Sequence, residues 1–323
     1  TRHLLEARPY PAKISLVMPL YNEGPVVDLL REAMTKFLPS LSAEAEVVLV
    51  NDGSQDDTID RLVAWAKEDA RVHVLHFSRN FGHQTASTAG LDYANGDAVV
   101  LMDADLQHPL ETVPGMLERY CEGYEVVYGK RLVREGETWF KRLTAWGFYR
   151  FMRRFVHPDL PLDAGDFRLI GRQCLDELKG MRETHRFLRG MITWLGYPQC
   201  AVEYRQAARV AGESKYPLRK MMAFAWTAAT SFSDLPLRMS GYLGLLGILF
   251  AAQESVRALL AWMRGDVVTG WTTLVILNSA LGGAVLICLG VLGDYVGKIY
   301  IEIKERPNYL VARKYHFPQA GGE

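Results

Sequence analysis

Asp103 and Asp105 stand one residue apart in the stretch VVLMDADLQHP, residues 99–109, directly after four apolar residues. If the stretch is a strand, its period of two sends both carboxylates to the same side at the strand's end. Like charges that close repel, so something must compensate them. The following helix start is one candidate, because Asp is a good helix cap. The chemical alternative is a hard divalent cation held by carboxylate oxygens and shared with phosphates, for which Mg²⁺ or Mn²⁺ is suited. Gln107 offers an amide oxygen to the same ion, directly or through water.

Two more acidic segments have the same look. PLYNE carries Glu23, and NDGSQDDT sets Asp52 beside Gly53, where a carboxylate can accept hydrogen bonds from a base N–H or a ribose. One acidic strand end is uninformative; three along one sheet edge point to a nucleotide with a metal. No GxGxxG follows the first apolar run and no GxxxxGK[ST] occurs, which excludes the dinucleotide and P-loop readings. Phosphate charge then falls to the metal and to basic side chains. YGKRLVREGETWFKR supplies Lys130, Arg131, Arg134, Lys141 and Arg142, and YRQAARVAGESKYPLRK supplies Arg205, Arg209, Lys215, Arg219 and Lys220. A solvated face is the usual meaning of such runs, but the second lies directly before a strongly apolar region, where a basic loop can meet an anionic lipid head group. His83 and His108 read as structural groups at the pocket edge. The helix start at Gly82 is read as packing around a nucleoside, although its N–H groups would also favour an anion.

These residues need a frame. Short apolar runs at 13–20, 45–52, 71–78, 97–103 and 124–131 read as strands, and about 25–38, 57–69, 83–94 and 110–122 read as helices. Val- and Leu-rich strands alternating with helices predict an α/β domain with a mostly parallel sheet covered on both faces. Ligands bind such sheets at the carboxyl ends of the strands, where all three acidic segments fall.

The chain has 323 residues, 49% of them hydrophobic and 23% charged, enough for one large domain with an appendage. Its 37 Lys and Arg balance 37 Asp and Glu, which argues against a protein that coats nucleic acid. Cys121, Cys174, Cys200 and Cys288 show no metal-ligand spacing and read as reduced, structural thiols. The opening TRHLLEARPYPAK lacks the apolar core of a signal peptide, so the main domain is expected in the cytoplasm.

From residue 217 the composition changes. Residues 217–238 combine Met, Phe, Ala and Trp with basic flanks, as interfacial helices do. Two apolar stretches follow, about 241–262 and 271–293; the second carries no charge and is long enough to cross a ~30 Å hydrocarbon core. Gln253, Glu254 and Arg257 interrupt the first, and Glu254 and Arg257 are spaced to pair on a helix. Basic residues flank the two stretches and are scarce between them, which predicts a hairpin with both flanks cytoplasmic. The predicted division is an arm at 1–12, a catalytic domain at 13–216, interfacial helices at 217–238, a hairpin at 239–296 and a cytoplasmic tail at 297–323.

PLYNE, NDGSQDDT, DADLQHP, DAGDFRLIGR and RVAGESKY, in this order and followed by two apolar segments, resemble the polyprenyl-phosphate glycosyltransferases of glycosyltransferase family 2. The likeness is greatest to bacterial bactoprenol glucosyltransferases, with dolichyl-phosphate mannose synthases and the undecaprenyl-phosphate aminoarabinose transferase as cousins, and covers about residues 13–310. It implies a GT-A fold, a nucleotide-sugar donor such as UDP-glucose, Mg²⁺ or Mn²⁺, and a lipid acceptor such as undecaprenyl phosphate. It further implies one inverting step, a multi-pass enzyme of the bacterial inner membrane with its catalytic domain in the cytoplasm, a homotetramer and a place in cell-envelope glycan synthesis.

Residue by residue, the resemblance sets Pro19, Tyr21, Glu23 and Asp52 around the nucleoside, and Asp103, Asp105 and Gln107 around the metal and diphosphate. Asp163 and Arg168 match the segment behind the sugar. Arg205, Arg209, Ser214 and Lys215 match the loop that closes on the phosphates, and Arg131 the acceptor side. Asp105, Asp163 and Arg209 are the expected catalytic residues. Asn51 departs from the pattern, standing where many relatives have aspartate. A sugar hydroxyl acceptor would need a base, for which Asp163 or Asp166 is placed. A lipid phosphate, with a second pKa near the ~6 of phosphoserine, is already ionised, so Asp163 is expected to orient the acceptor, hold Arg168 or contact the sugar. Transfer of aminoarabinose, mannose, GlcNAc or galactose is the alternative of the same class, and a sugar-1-phosphate nucleotidyltransferase that of another class. A processive synthase would show QxxRW, which is absent.

Overall fold

The computed structural model describes residues 5–132, 164–184, 186–205, 235–265 and 270–317. The chain divides into two compact units, the first including residues 1–153, 157–216 and 307–323, the second 154–156 and 217–306.

In the first unit, β1 (Lys13–Leu20), β2 (Glu44–Asn51), β3 (Val72–Phe77) and β4 (Ala98–Leu101) alternate with α1 (Gly24–Phe37), α2 (Thr58–Glu68) and α3 (His83–Tyr93). β1 pairs in parallel with both β2 and β4, and β2 with β3. Every residue of β1 after Lys13 is buried, which is why the run shows no alternation: helices cover both sheet faces. Ile14, Leu16, Met18, Leu30, Leu62 and Trp65 share one core cluster. On the sheet's other side α3 approaches β1 so closely that a Cβ on Gly90 would stand 2.2 Å from Val17 Cγ1.

The sheet continues through α4 (Thr112–Cys121), β5 (Val126–Arg131), β6 (Ala164–Gly171), α5 (Arg172–Gly180), α6 (Leu188–Trp194) and β7 (Gln199–Tyr204). With β8 (Val311–Tyr315), the described strands form one sheet in the order β7-β5-β6-β4-β1-β2-β3-β8. β6 runs antiparallel to β4 and β5, and β8 antiparallel to β3. The α/β class and mostly parallel sheet agree with expectation, and all five predicted strands are present.

Three details differ from the sequence reading. β4 stops at Leu101, with Met102 N–H still donating to Val17 O at 3.0 Å, so Asp103 and Asp105 lie in the turn beyond the strand and strand alternation does not set their direction. β6 and β7 were not foreseen, because DAGDFRLIGR has no strand pattern until its charges find partners. The segment after the apolar region, ERPNYLVARKYHF, has the strand-like, basic character of its sequence but joins the main sheet, where β8 covers the free edge of β3. The four cysteines are free thiols.

The second unit contains α7 (Leu235–Met263) and α8 (Trp271–Ile303), which pack on each other. Both run past the predicted bounds, α7 beginning before 241 and α8 ending beyond 293. Arg257 Nη1 and Glu254 Oε1 form the expected pair at 2.9 Å. Among the described residues one stretch, Ala280–Ile303, is long and apolar enough to cross a membrane by length and composition. Residues 217–234, Asp163, Arg209, Ser214 and Lys215 lie outside the described residues.

Candidate active site

Register brings the acidic segments together. Leu20 of β1 pairs with Asn51 of β2, so the turns that follow them, with Tyr21 and Asp52, leave the sheet side by side. Val17 pairs with Leu101, which sets the 103–105 turn next to the end of β1. On the other side Leu101 pairs with Arg168 of antiparallel β6. Two residues beyond Leu101 is Asp103, and two before Arg168 is Asp166, so the antiparallel ladder carries a third carboxylate to the acidic pair.

In the turn, Gln107 N–H donates to Asp105 Oδ1 at 3.2 Å, and Leu106 is left-handed at φ 57. A branched side chain there is strained, a cost of about 1–3 kcal/mol that persists where the surroundings enforce it. Asp103, Asp105 and His108 offer ligand atoms all within 4.8 Å of one another.

Asp103 N–H donates to His108 Nδ1 at 3.3 Å. A backbone N–H can only donate, so Nδ1 accepts and the neutral ring keeps its proton on Nε2. Burial pushes His108 below its ordinary value despite Asp103 and Asp105, which favours that neutral ring. Its Nε2 stands 4.0 Å from Asp103 Oδ2, and the ring stacks on Phe167 with centroids 4.8 Å apart. His108 therefore backs the turn, and the two carboxylates are left as an oxygen set whose chemistry fits Mg²⁺ or Mn²⁺.

His83 opens α3 after Gly82. Its Nε2 stands 3.4 Å from Asp103 Oδ1 and 3.6 Å from Asp166 Oδ2. Burial lowers its pKa, but Asp166 and Asp103 outweigh that and hold it above the ordinary value. Asp166 also accepts Gln84 Nε2 at 3.2 Å and pairs with Arg189 Nε at 2.8 Å. Burial opposes its ionisation, yet Arg189, His83 and Arg168 hold the carboxyl well below the usual carboxylate range. Neither His83 as a bridge nor Arg189 was legible in the sequence; the only signal was the second aspartate of DAGD.

Asp52 proves different from its sequence reading as an open acceptor. Its side chain is buried and accepts Phe81 N–H at 2.7 Å, Gly82 N–H at 2.9 Å and Asn80 Nδ2 at 3.0 Å. Burial outweighs these donors and raises its carboxyl above the ordinary value. Asp52 thus organises the loop between β3 and α3. Buried Asn51 plays a matching part: Oδ1 accepts Ser54 N–H at 3.1 Å and Nδ2 donates to His76 Nδ1 at 3.0 Å. Left-handed Asn22 then ties the two turns, donating its N–H to Ser54 Oγ at 2.9 Å and accepting Gln55 N–H on its Oδ1 at 2.8 Å.

Of the other expected residues, Pro19 is buried in β1, Tyr21 is exposed and Glu23 is half-buried at the start of α1. Arg168 is fully buried, burial pulls its guanidinium down to about 10, and Nη2 donates to Gly165 O at 2.9 Å. Arg131 Nε donates to Tyr204 Oη at 3.2 Å, and Arg205 is exposed just after β7.

An α/β sheet whose edge gathers Asp103, Asp105 and the β1 and β2 turns is the GT-A arrangement of a glycosyltransferase. Residues 15–179 match the profile of glycosyl transferase family 2, and the chain belongs to that family. It is 43% identical over 305 residues, covering 93% of this chain and 94% of the other, to the uncharacterized glycosyltransferase YkcC of Bacillus subtilis (strain 168). It is 38% identical over 307 residues, covering 94% and 98%, to the SfII prophage-derived bactoprenol glucosyl transferase of Shigella flexneri, and so belongs to the bactoprenol glucosyltransferase-like branch. Among solved structures, glucosyl-3-phosphoglycerate synthase of Mycobacterium tuberculosis with Mn²⁺ and UDP is similar at TM-score 0.47 and 20% identity over 68% of this chain and 78% of that one. The mannosyltransferase PcManGT of Pyrobaculum calidifontis, with GDP-Man and Mn²⁺, is similar at TM-score 0.41 and 16% identity over 88% and 90%.

Proposed function

We propose that the protein moves a glucosyl group from UDP-glucose to a polyprenyl phosphate such as undecaprenyl phosphate, in one inverting step at the cytoplasmic face of a bacterial inner membrane. The observation that carries this reading is the meeting of Asp103, Asp105 and the β1 and β2 turns on one sheet edge, in a chain 38% identical over 307 residues to a bactoprenol glucosyl transferase.

Asp103 and Asp105, with the Gln107 amide, hold Mg²⁺ or Mn²⁺. When bound, the ion neutralises charge on the departing nucleoside diphosphate. Pro19, Tyr21 and Glu23 line the nucleoside beside the loop that Asp52 orders. The chain's own residues do the rest by charge and orientation. Arg131 and Arg205, together with Arg209, Ser214 and Lys215, draw two anionic partners together, where charge-assisted hydrogen bonds are strongest. Arg168 and Asp163 stand behind the sugar. A lipid phosphate with a second pKa of ~6 is its own nucleophile, so no proton need be removed.

The second unit supplies the bilayer contact. Leu246, Ile248, Leu249, Leu286, Ile287 and Ile303 are exposed on α7 and α8, a density of outward apolar side chains that suits lipid. The two helices form the transmembrane hairpin, with 217–238 lying at the interface, and the enzyme works as a homotetramer. The test is a screen of nucleotide sugars with undecaprenyl phosphate in detergent. Metal-dependent UDP release that requires the lipid phosphate, greatest with UDP-glucose, is expected. Release without the lipid, or pyrophosphate-forming chemistry on sugar phosphates, would overturn the reading.

A further inference from the structure

The loop that meets Asp52 spans residues 78–82 between β3 and α3, and its first residue is anchored by the segment that follows α8. Ser78 N–H donates to Leu310 O at 3.1 Å. The Tyr309 ring stacks on Phe77, the last residue of β3, with centroids 5.3 Å apart and planes 15° from parallel. Phe77 in turn meets Phe81 of the loop edge-on at 5.6 Å. Beyond the loop, Tyr309 Oη donates to Asp92 Oδ2, on the last turn of α3, at 2.9 Å. Burial beside Asp92 pushes the Tyr309 phenol up, so it keeps its proton and remains a donor. One side chain therefore spans the two elements that the loop joins.

We propose that Tyr309 is a positioning residue of the donor site: it braces loop 78–82, and through Phe81 and Gly82 it fixes the geometry around Asp52 that the nucleoside meets. This rests on the reading of that edge as the donor site. The physical reason is entropy. A five-residue loop that donates two backbone N–H groups to one buried carboxylate must be ordered, and a brace on its first residues and on the helix that follows keeps that ordering cost from opposing nucleotide binding. β8 itself serves a different end, since Lys314 lies 4.6 Å over the Tyr93 ring, away from the loop.

The experiment uses the full chain in detergent with two readouts, UDP titration and amide exchange at Phe81 and Gly82. Tyr309→Leu should weaken UDP binding and raise the donor KM about tenfold, with kcat within about twofold, and speed exchange at both amides about tenfold. Tyr309→Phe should show part of this loss. Asp92→Ala, which removes the acceptor, should match Tyr309→Phe, and the double variant should lose no more than either alone. Lys314→Ala should leave both readouts unchanged. Folded Tyr309→Leu protein with wild-type exchange at Phe81 and Gly82 would overturn the proposal, as would equal loosening by Lys314→Ala. Faster exchange in Tyr309→Leu, with no UDP binding by the wild type, would overturn the donor reading instead and leave the brace standing.

Discussion

Arg189 Nε lies 2.8 Å from Asp166 Oδ1, and this pair decides what Asp166 can do. A carboxyl held well below the usual range is a weak base, so Asp166 acts as a fixed charge that steadies His83 beside Asp103.

Arg189→Met removes the strongest cationic partner of Asp166, which keeps Gln84 and His83, and should cost about 1.5–3 kcal/mol at neutral pH. Because the folded pKa of Asp166 is depressed, the stabilisation is present above the unfolded value of ~3.9 and is lost as pH falls through the folded one. Denaturant melts of wild type and variant should therefore differ most near neutrality and converge in acid. A penalty equal at every pH would refute the ion-pair account.

Asp105→Ala should lower turnover by about a thousandfold, or roughly 4 kcal/mol of lost charge stabilisation, and weaken Mn²⁺ binding by titration. The melting temperature should scarcely move, because Asp105 is only half-buried and sits in a turn outside the core. Near-normal turnover with metal present would sink the metal assignment.

Gly53 has φ 66, and a Cβ there would stand 2.4 Å from Arg79 C and 2.6 Å from Asn80 N. Both contacts are backbone, so Gly53→Ala must move the loop that donates to Asp52. Nucleotide binding should weaken at least about tenfold in an enzyme that still folds. Unchanged UDP affinity by calorimetry would show that the loop does not meet the nucleoside.

Glu125 is buried, and Arg8 Nη1 pairs with Glu125 Oε2 at 2.5 Å while Arg8 Nη2 donates to Gly123 O at 3.0 Å. Arg8→Ala should destabilise the domain by about 3 kcal/mol, because it leaves a buried carboxylate without its cation. The loss should appear in thermal melts with donor KM unchanged, since this pair lies at the opposite sheet edge from the acidic turns. A stable variant would mean that Glu125 needs no partner.

The central strands were legible because each is a run that is buried on both faces, and such runs declare themselves by composition alone. β6 was not: Asp166 and Arg168 are polar residues made tolerable in a strand by Arg189, Gln84 and the Gly165 carbonyl, contacts that no local pattern contains. β8 was legible in part, as a strand-like and basic segment after the apolar region, but its partner was not. Its exposed, basic residues form a strand only because β3 offers an unpaired edge.

For the site, the sequence by itself determined the chemistry: paired carboxylates, a nearby amide, acidic turns and no phosphate-binding glycine loop, since ligand preference follows from side-chain type. Only the tertiary structure decided who stands next to whom. The β4–β6 register carries Asp166 to Asp103, burial turns Asp52 from an open acceptor into the anchor of a loop, and a donated N–H makes His108 a support rather than a ligand. The reason is that these roles depend on distance and dielectric, which arise when segments far apart in the chain close on one another.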